Sequence, residues 1–127
     1  MDKINNYLNY NTMIKIFRYW FAHWCAFQLT ALNLNCWKFI FLFHDMEKPF
    51  LRLFLGHKMA TKLHRKLSRH HVEFIFPKYY DYVGMIIDWE CAKLTKPEKQ
   101  LNARQTMNKY YPQLCDNLNP ILNKLGL

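Results

Sequence analysis

Glycine and proline are scarce in this chain of 127 residues, which contains only three glycines and five prolines. Long segments without a helix breaker favour helices over a turn-rich β architecture. Hydrophobic residues make up 51% of the chain and aromatic residues 17%, and this composition argues against disorder. The composition therefore predicts an all-α fold, a single compact helical bundle of about five to seven helices.

Cysteine pairs with the spacing of a zinc site or a disulfide framework are also missing. The four cysteines are widely spaced and form no C-x-x-C pair, which is typical of free thiols in a reducing compartment. No signal-peptide core follows Met1, and polar residues interrupt the most apolar stretch, residues 19–43, before it reaches the roughly 18 apolar residues of a transmembrane helix. We expect a cytoplasmic protein without a transmembrane segment.

Acidic residues are few, with nine Asp and Glu against 18 Lys and Arg, so the formal charge is +9. The segment from Lys48 to Val72 carries seven Lys and Arg, and its only charged side chains are these and histidines. Such a segment attracts nucleotides, nucleic acid or an anionic membrane surface, although a solvated helix face would have the same composition.

Apolar periodicity and breakers divide the chain into helices. Residues 1–11 are rich in Asn and Tyr and are predicted to form a loose arm before a single helical domain over residues 12–127. A break is expected at Gly56 and at Phe76-Pro77, and Asn102 is expected to cap a helix that ends at Pro112. The predicted helices cover residues 12–34, 36–43, 48–55, 58–74, 79–94, 103–111 and 113–125.

Histidine and carboxylate side chains occur at inward or border positions of these helices. His23 lies within an apolar stripe, and His44-Asp45 directly follows the apolar run Phe39 to Phe43. On a helix continuing to Phe74, His64 and His71 would share a face while His70 would point elsewhere, into solvent. Asp88 borders a buried stripe, where a carboxylate needs a cationic partner.

The order of these groups, His, His-Asp, His, His, Asp, resembles the H…HD…H…H…D pattern of the HD-domain superfamily of helical, metal-dependent phosphohydrolases. The resemblance spans about residues 14–95, with the C-terminal helices at 102–125 packing on that core, and His44-Asp45-Met46-Glu47-Lys48 is similar to the H-D-x-x-K form. It implies one divalent ion held by four residues and a second bridged by Asp45; helix phase favours His71 over His70 as a ligand of the latter. The implied ligands of the first ion are His23, His44, Asp45 and Asp88, and those of the second are Asp45, His64 and His71.

The implied activity is cleavage of a phosphate ester of a nucleotide or similar small substrate by a metal-activated water. Glu47 and Lys48 are the candidate catalytic residues, with Asp81 a weaker candidate for the role of Glu47, which could equally form a surface salt bridge. Lys48, Arg52 and Arg69 are candidates for binding the substrate phosphate. The sequence leaves open whether one ion or two are bound, and whether the metal is Mn, Fe, Zn, Ni or Mg.

Three alternatives remain beside this hypothesis. Members of the same superfamily that bind two irons are oxygenases and use the same ligands. A non-catalytic basic module could bind nucleic acid through residues 58–69, or a protein partner, and exposed aromatic residues would allow a homodimer. Membrane association through residues 37–43 is the third alternative, but this apolar segment is more simply explained as core.

Overall fold

The longest element of the computed structural model, which describes residues 10–72, 77–96, 98 and 101–127, is helix α1, Tyr10–Asn33. Most of the predicted N-terminal arm, residues 1–9, lies outside the described residues. A 3-10 helix, Phe39–Phe43, follows α1. The remaining α-helices are α2, Lys48–Leu67, α3, Tyr79–Thr95, α4, Ala103–Tyr110, and α5, Cys115–Leu125, with a short 3-10 helix, Pro112–Leu114, before α5. The described part of the chain is all helical, which confirms the predicted fold class.

Helix α2 consists of two helical parts that meet at a kink at Gly56. Gly56 has φ 75° and ψ 171°, a conformation outside the helical region, so the break predicted there is confirmed. The second part ends at Leu67, because Ser68 takes an extended conformation. The prediction of a helix continuing to residue 74 is therefore wrong. Like charges at i,i+4 spacing, such as Lys62 and Lys66, weaken this end of the helix.

Helix α3 lies at the centre of the bundle. It packs against α1 on one side and against α4 and α5 on others, and its own buried residues include Val83, Ile86 and Ile87. Asn102 accepts a hydrogen bond from the backbone N–H of Gln105 at 2.8 Å, which confirms it as the cap of α4. Because α3 is buried between its neighbours, Asp88 on α3 is carried to the face of α1 that presents His23.

The apolar run Phe39–Phe43 is mostly exposed. Phe41 is buried at 6% exposure and packs edge-on against Phe27 of α1 at a centroid distance of 5.6 Å. Phe39, Ile40 and Phe43 are 68%, 62% and 55% exposed. The interpretation of the whole run as core is therefore wrong, because a 3-10 helix has about three residues per turn and points only one of these side chains inward.

Within the described residues, no helix combines the length and the apolar character that crossing a membrane requires.

Candidate metal centre

Side chains of α1 hold the segment that carries His44 and Asp45. The indole N–H of Trp20 donates to the carbonyl of Asp45 at 2.8 Å, and that of Trp24 donates to the carbonyl of Leu42 at 3.0 Å. The amide of Gln28 donates to the carbonyl of Phe41 at 2.7 Å. The three donors are spaced four residues apart and so lie along one face of α1. They fix the backbone from which Asp45, at a φ of 56°, projects its carboxylate.

One group of ligand atoms comes from α1, the segment after the 3-10 helix and α3. His23 Nε2 lies 3.3 Å from Asp45 Oδ2 and 3.0 Å from Asp88 Oδ1. His44 Nε2 lies 3.3 Å from each of the same two oxygens and 3.1 Å from His23 Nε2. Each of the four residues offers one ligand atom, and these atoms all lie within 4.8 Å of one another. The structure thus brings together the four predicted ligands of the first ion.

A second group of ligand atoms meets the other carboxylate oxygen of Asp45. His64 Nε2 lies 2.9 Å from Asp45 Oδ1, and His70 Nε2 lies 3.1 Å from it. His71 completes this group, again with all four ligand atoms within 4.8 Å of one another. Asp45 therefore faces both groups, with Oδ2 toward one and Oδ1 toward the other.

His70 is placed differently from the prediction. Its side chain was expected to point away into solvent, but it is only 14% exposed and lies beside Asp45. The expectation failed because α2 ends at Leu67, so that helix phase no longer governs residues 70 and 71. Both His70 and His71 lie in the same group of ligand atoms as Asp45, so both, and not His71 alone, are candidate ligands of the second ion.

Several buried polar atoms of the two groups have no hydrogen-bond partner among the described residues. They are Asp45 Oδ1, Asp88 Oδ1 and the Nε2 atoms of His64, His70 and His71. Buried polar groups are normally paired, and leaving one unpaired costs about 1–3 kcal/mol. Of these atoms, Asp45 Oδ1 lies 2.9 Å from His64 Nε2 and 3.1 Å from His70 Nε2 without hydrogen-bond geometry, which is the arrangement that a shared cation would satisfy. The residues present therefore fit one or two metal ions.

The electrostatics of the centre also call for positive charge. Burial disfavours a charge on His23, but the carboxylates of Asp45 and Asp88 overcome this effect and raise the pKa of His23 to about 12. Burial likewise opposes ionisation of Asp45 and Asp88, yet the surrounding histidines hold the pKa of both carboxyl groups well below the usual range. The two ionised, buried carboxylates thus keep protons on neighbouring imidazoles, and these protons supply positive charge. A bound metal ion would supply that charge in their place.

Glu47 contacts a histidine of the second group. Its Oε1 lies 2.5 Å from His64 Nδ1, and the hydroxyl of Ser68 donates to the same oxygen at 3.1 Å. A carboxylate on the far nitrogen of a metal-binding histidine fixes the tautomer and the orientation of the ring. The sequence predicted a catalytic role for Glu47; its contacts are those of a residue that orients His64.

A cavity of about 640 Å³ opens on one side of the centre. It is lined by His23, His64, His71 and Asp88. It is also lined by cationic side chains of α2 and α4 and of the residue that follows α3: Lys48, Arg52, Arg65, Lys109 and Lys96. The ammonium of Lys48 lies 3.3 Å from Asp45 Oδ2. Arg52 and Lys96 both lie over the ring of Tyr19, at 5.7 Å and 5.8 Å from its centroid. The cavity can therefore accommodate an anionic ligand beside the centre.

Arg69 lies away from this cavity. Its guanidinium binds both carboxylate oxygens of Asp81, at 3.0 Å and 2.9 Å, and both residues line a second cavity next to His70. The sequence predicted Arg69 as a phosphate ligand and Asp81 as a weaker catalytic candidate. The structure pairs them with each other, beside a cavity that Asp45 and Glu47 also line, and both roles stay predictions.

Comparisons with protein-family models, with curated proteins and with solved structures found no match to this chain.

Proposed function

We propose that this protein is a metal-dependent phosphohydrolase with two adjacent metal ions that share Asp45. The observation that carries the proposal is that Asp45 belongs to two groups of four ligand residues and faces each group with a different carboxylate oxygen. The order of the ligands along the chain, which resembles the HD-domain superfamily, supports it as well. Five imidazoles and two carboxylates favour Mn, Fe, Ni or Zn over Mg, because Mg prefers oxygen ligands.

Two metal ions bound there would lower the pKa of a bound water. They would also place positive charge opposite the phosphoryl oxygens of the substrate. The protein itself orients the substrate. Lys48 borders both Asp45 and the cavity, so its ammonium is placed to bind a phosphoryl oxygen. Arg52 lies in the same cavity, with Lys96 on the shared ring of Tyr19, and can bind further anionic groups. A phosphate ester of nucleotide size fits a cavity of about 640 Å³.

The cations of the cavity favour an anionic substrate and hence the hydrolase over the alternative of a di-iron oxygenase. Binding of nucleic acid through residues 58–69 stays a prediction. Lys58, Lys62 and Lys66 are exposed there, as such binding requires.

The test is phosphate release from a panel of small phosphate monoesters, diesters and nucleotides, with Mn, Fe, Ni or Zn added. Lys48→Met is expected to lower kcat/KM about 100-fold, because a cation at the reacting phosphate is lost. The matched control is Lys62→Met, which removes an exposed lysine of the same helix outside the cavity. No turnover of any substrate with any of these metals, or an equal effect of the two variants, would contradict the proposal. Oxygen consumption with two bound irons would favour the oxygenase.

A further inference from the structure

The outer face of α1 is apolar along most of its length. Ile14, Phe21, Leu29 and Leu32 are 37%, 57%, 57% and 57% exposed. At about 100° per residue they fall within a stripe roughly 80° wide, and the span from Ile14 to Leu32 extends about 27 Å along the helix axis. The opposite face of α1 is buried against the bundle, so the apolar stripe has no partner among the described residues.

The stripe continues onto neighbouring elements. Phe21 stacks on Trp24 with centroids 6.1 Å apart, and the indole of Trp24 donates to the carbonyl of Leu42 in the 3-10 helix. Phe17 of α1 contacts Phe50 of α2 edge-on at 6.0 Å. We define the α1 face as the exposed apolar residues of α1 and of the two elements that it contacts here: Ile14, Phe21, Leu29, Leu32, Phe39, Ile40, Phe43 and Phe50.

The charge around the α1 face is predominantly positive. Helix α1 carries Lys15 and Arg18 and no acidic residue. Over residues 10–72, which contribute the whole face, the chain has ten Lys and Arg against Asp45, buried in the metal centre, and Glu47. Arg18 follows Ile14 by one turn and precedes Phe21 by another, so it lies within the stripe itself.

A second copy of the chain fits this face poorly. Packing α1 against another α1 would remove Arg18 from water without an acidic partner on either helix, and a buried, unpaired charge is costly. Net positive charge on both copies would add repulsion. An anionic lipid surface meets both requirements, because apolar side chains enter the acyl boundary while Lys and Arg reach the phosphate groups.

We propose that the α1 face binds the surface of a membrane containing anionic phospholipid, with α1 lying in the plane of the interface. The occupant is the lipid surface itself. This inference does not depend on the metal centre or on the proposed hydrolase activity.

The test is flotation of the full chain with vesicles of phosphatidylcholine, with and without phosphatidylglycerol. We expect binding to the anionic vesicles, weaker binding at high salt and little binding to pure phosphatidylcholine. Leu29→Ser and Leu32→Ser are each expected to lower the partition coefficient about tenfold, because each removes one apolar side chain from the interface. The matched control is Leu94→Ser on α3, which changes a leucine that is 60% exposed and lies outside the α1 face. This variant should bind the vesicles as well as the unaltered protein does.

Circular dichroism and sedimentation of the same samples complete the experiment. Each variant must keep its helical content, and Phe21→Ser provides a further variant of the face if one leucine variant fails to fold. The proposal is overturned if anionic vesicles do not bind the protein, or if Leu94→Ser weakens binding as much as the variants of the face. It is also overturned if the protein is a dimer that Leu32→Ser dissociates and that does not bind vesicles.

Discussion

The indole of Trp20 and the backbone of Asp45 are joined by a hydrogen bond of 2.8 Å, across 25 residues of chain. Asp45 has a φ of 56°, a left-handed conformation that costs an L-residue about 1–2 kcal/mol. The hydrogen bond stabilises that conformation, and the conformation directs one carboxylate oxygen at each group of histidines. The position of the shared ligand therefore depends on a residue of α1 that is not itself a ligand.

Trp20→Phe should weaken metal binding about tenfold while leaving the ligands unchanged. A smaller phenyl ring replaces the indole, so the hydrogen bond to Asp45 and part of the packing are lost, and the free energy of unfolding should fall by at least about 1 kcal/mol. Titration of the metal-free protein with Mn or Zn measures the affinity. The control is Asn102→Ala, which removes the capping hydrogen bond of 2.8 Å at the start of α4 and should cost about 1 kcal/mol of stability. An equal loss of metal affinity in both variants would show that Trp20 acts only through general stability.

Glu47→Gln should selectively weaken binding of the second metal ion, the one held by Asp45, His64, His70 and His71. The variant loses the carboxylate that orients His64, and such partners contribute about 10- to 100-fold to metal affinity. Titration should therefore show that one metal ion binds tightly and the other weakly, whereas the unaltered protein binds both tightly. Asp116→Asn, on the exposed side of α5, is the control for loss of a carboxylate. If both ions stay tight while turnover is lost, Glu47 is the catalytic acid or base that the sequence predicted.

Metal affinity should rise with pH between about pH 6 and pH 9. In the metal-free protein, burial opposes a charge on His64, but Asp45 and Glu47 raise its pKa to about 9, and the pKa of His23 is raised to about 12. A metal ion must displace these protons. The raised values also stabilise the metal-free fold fully below pH 6.5 and progressively less as pH rises toward the folded pKa values.

The measurement is the thermal midpoint with and without metal across this range. The gap between the two midpoints should widen as pH rises. A gap that is constant, or that narrows, would mean that metal binding does not compete with protons on these histidines.

Gly56→Ala should destabilise the fold by about 1–3 kcal/mol, because the conformation of Gly56 is one that only glycine adopts readily. The control is Gly126→Ala, since Gly126 has φ 75° and ψ 24°, within the left-handed region that other residues can enter at lower cost. Chemical denaturation measures both variants. If Gly126→Ala costs as much as Gly56→Ala, the break in α2 is not under the predicted constraint.

Much of the helical layout could be predicted from the sequence. Helices α1 and α3 begin and end within two residues of the predicted positions, because apolar periodicity and breakers are local signals. The end of α2 was misplaced because the break at Ser68 has no proline or glycine beside it. The hydroxyl of Ser68 contacts both Glu47 and His64, and these tertiary contacts cannot be read from local sequence.

Most ligands of the candidate site could be predicted from the sequence, but the side chains that hold those ligands in place could not. His-Asp adjacency and the order of the other ligands gave six of the seven residues that the structure groups, and His70 was missed through the error in α2. The contact of Glu47 with His64 and the pairing of Arg69 with Asp81 join distant parts of the chain. The spacing of Trp20, Trp24 and Gln28 is visible in the sequence as one helical face, but nothing local shows that it binds the carbonyls of residues 41–45.

The most direct test of the account is the metal content of the protein purified without chelator, with Asp45→Ala beside it. Because Asp45 serves both groups of ligands, the account predicts about two equivalents of Mn, Fe, Ni or Zn in the unaltered protein and loss of both ions in the variant. Circular dichroism confirms that the variant is folded. The account is contradicted if the unaltered protein binds no metal even after these ions are added, or if Asp45→Ala retains both equivalents.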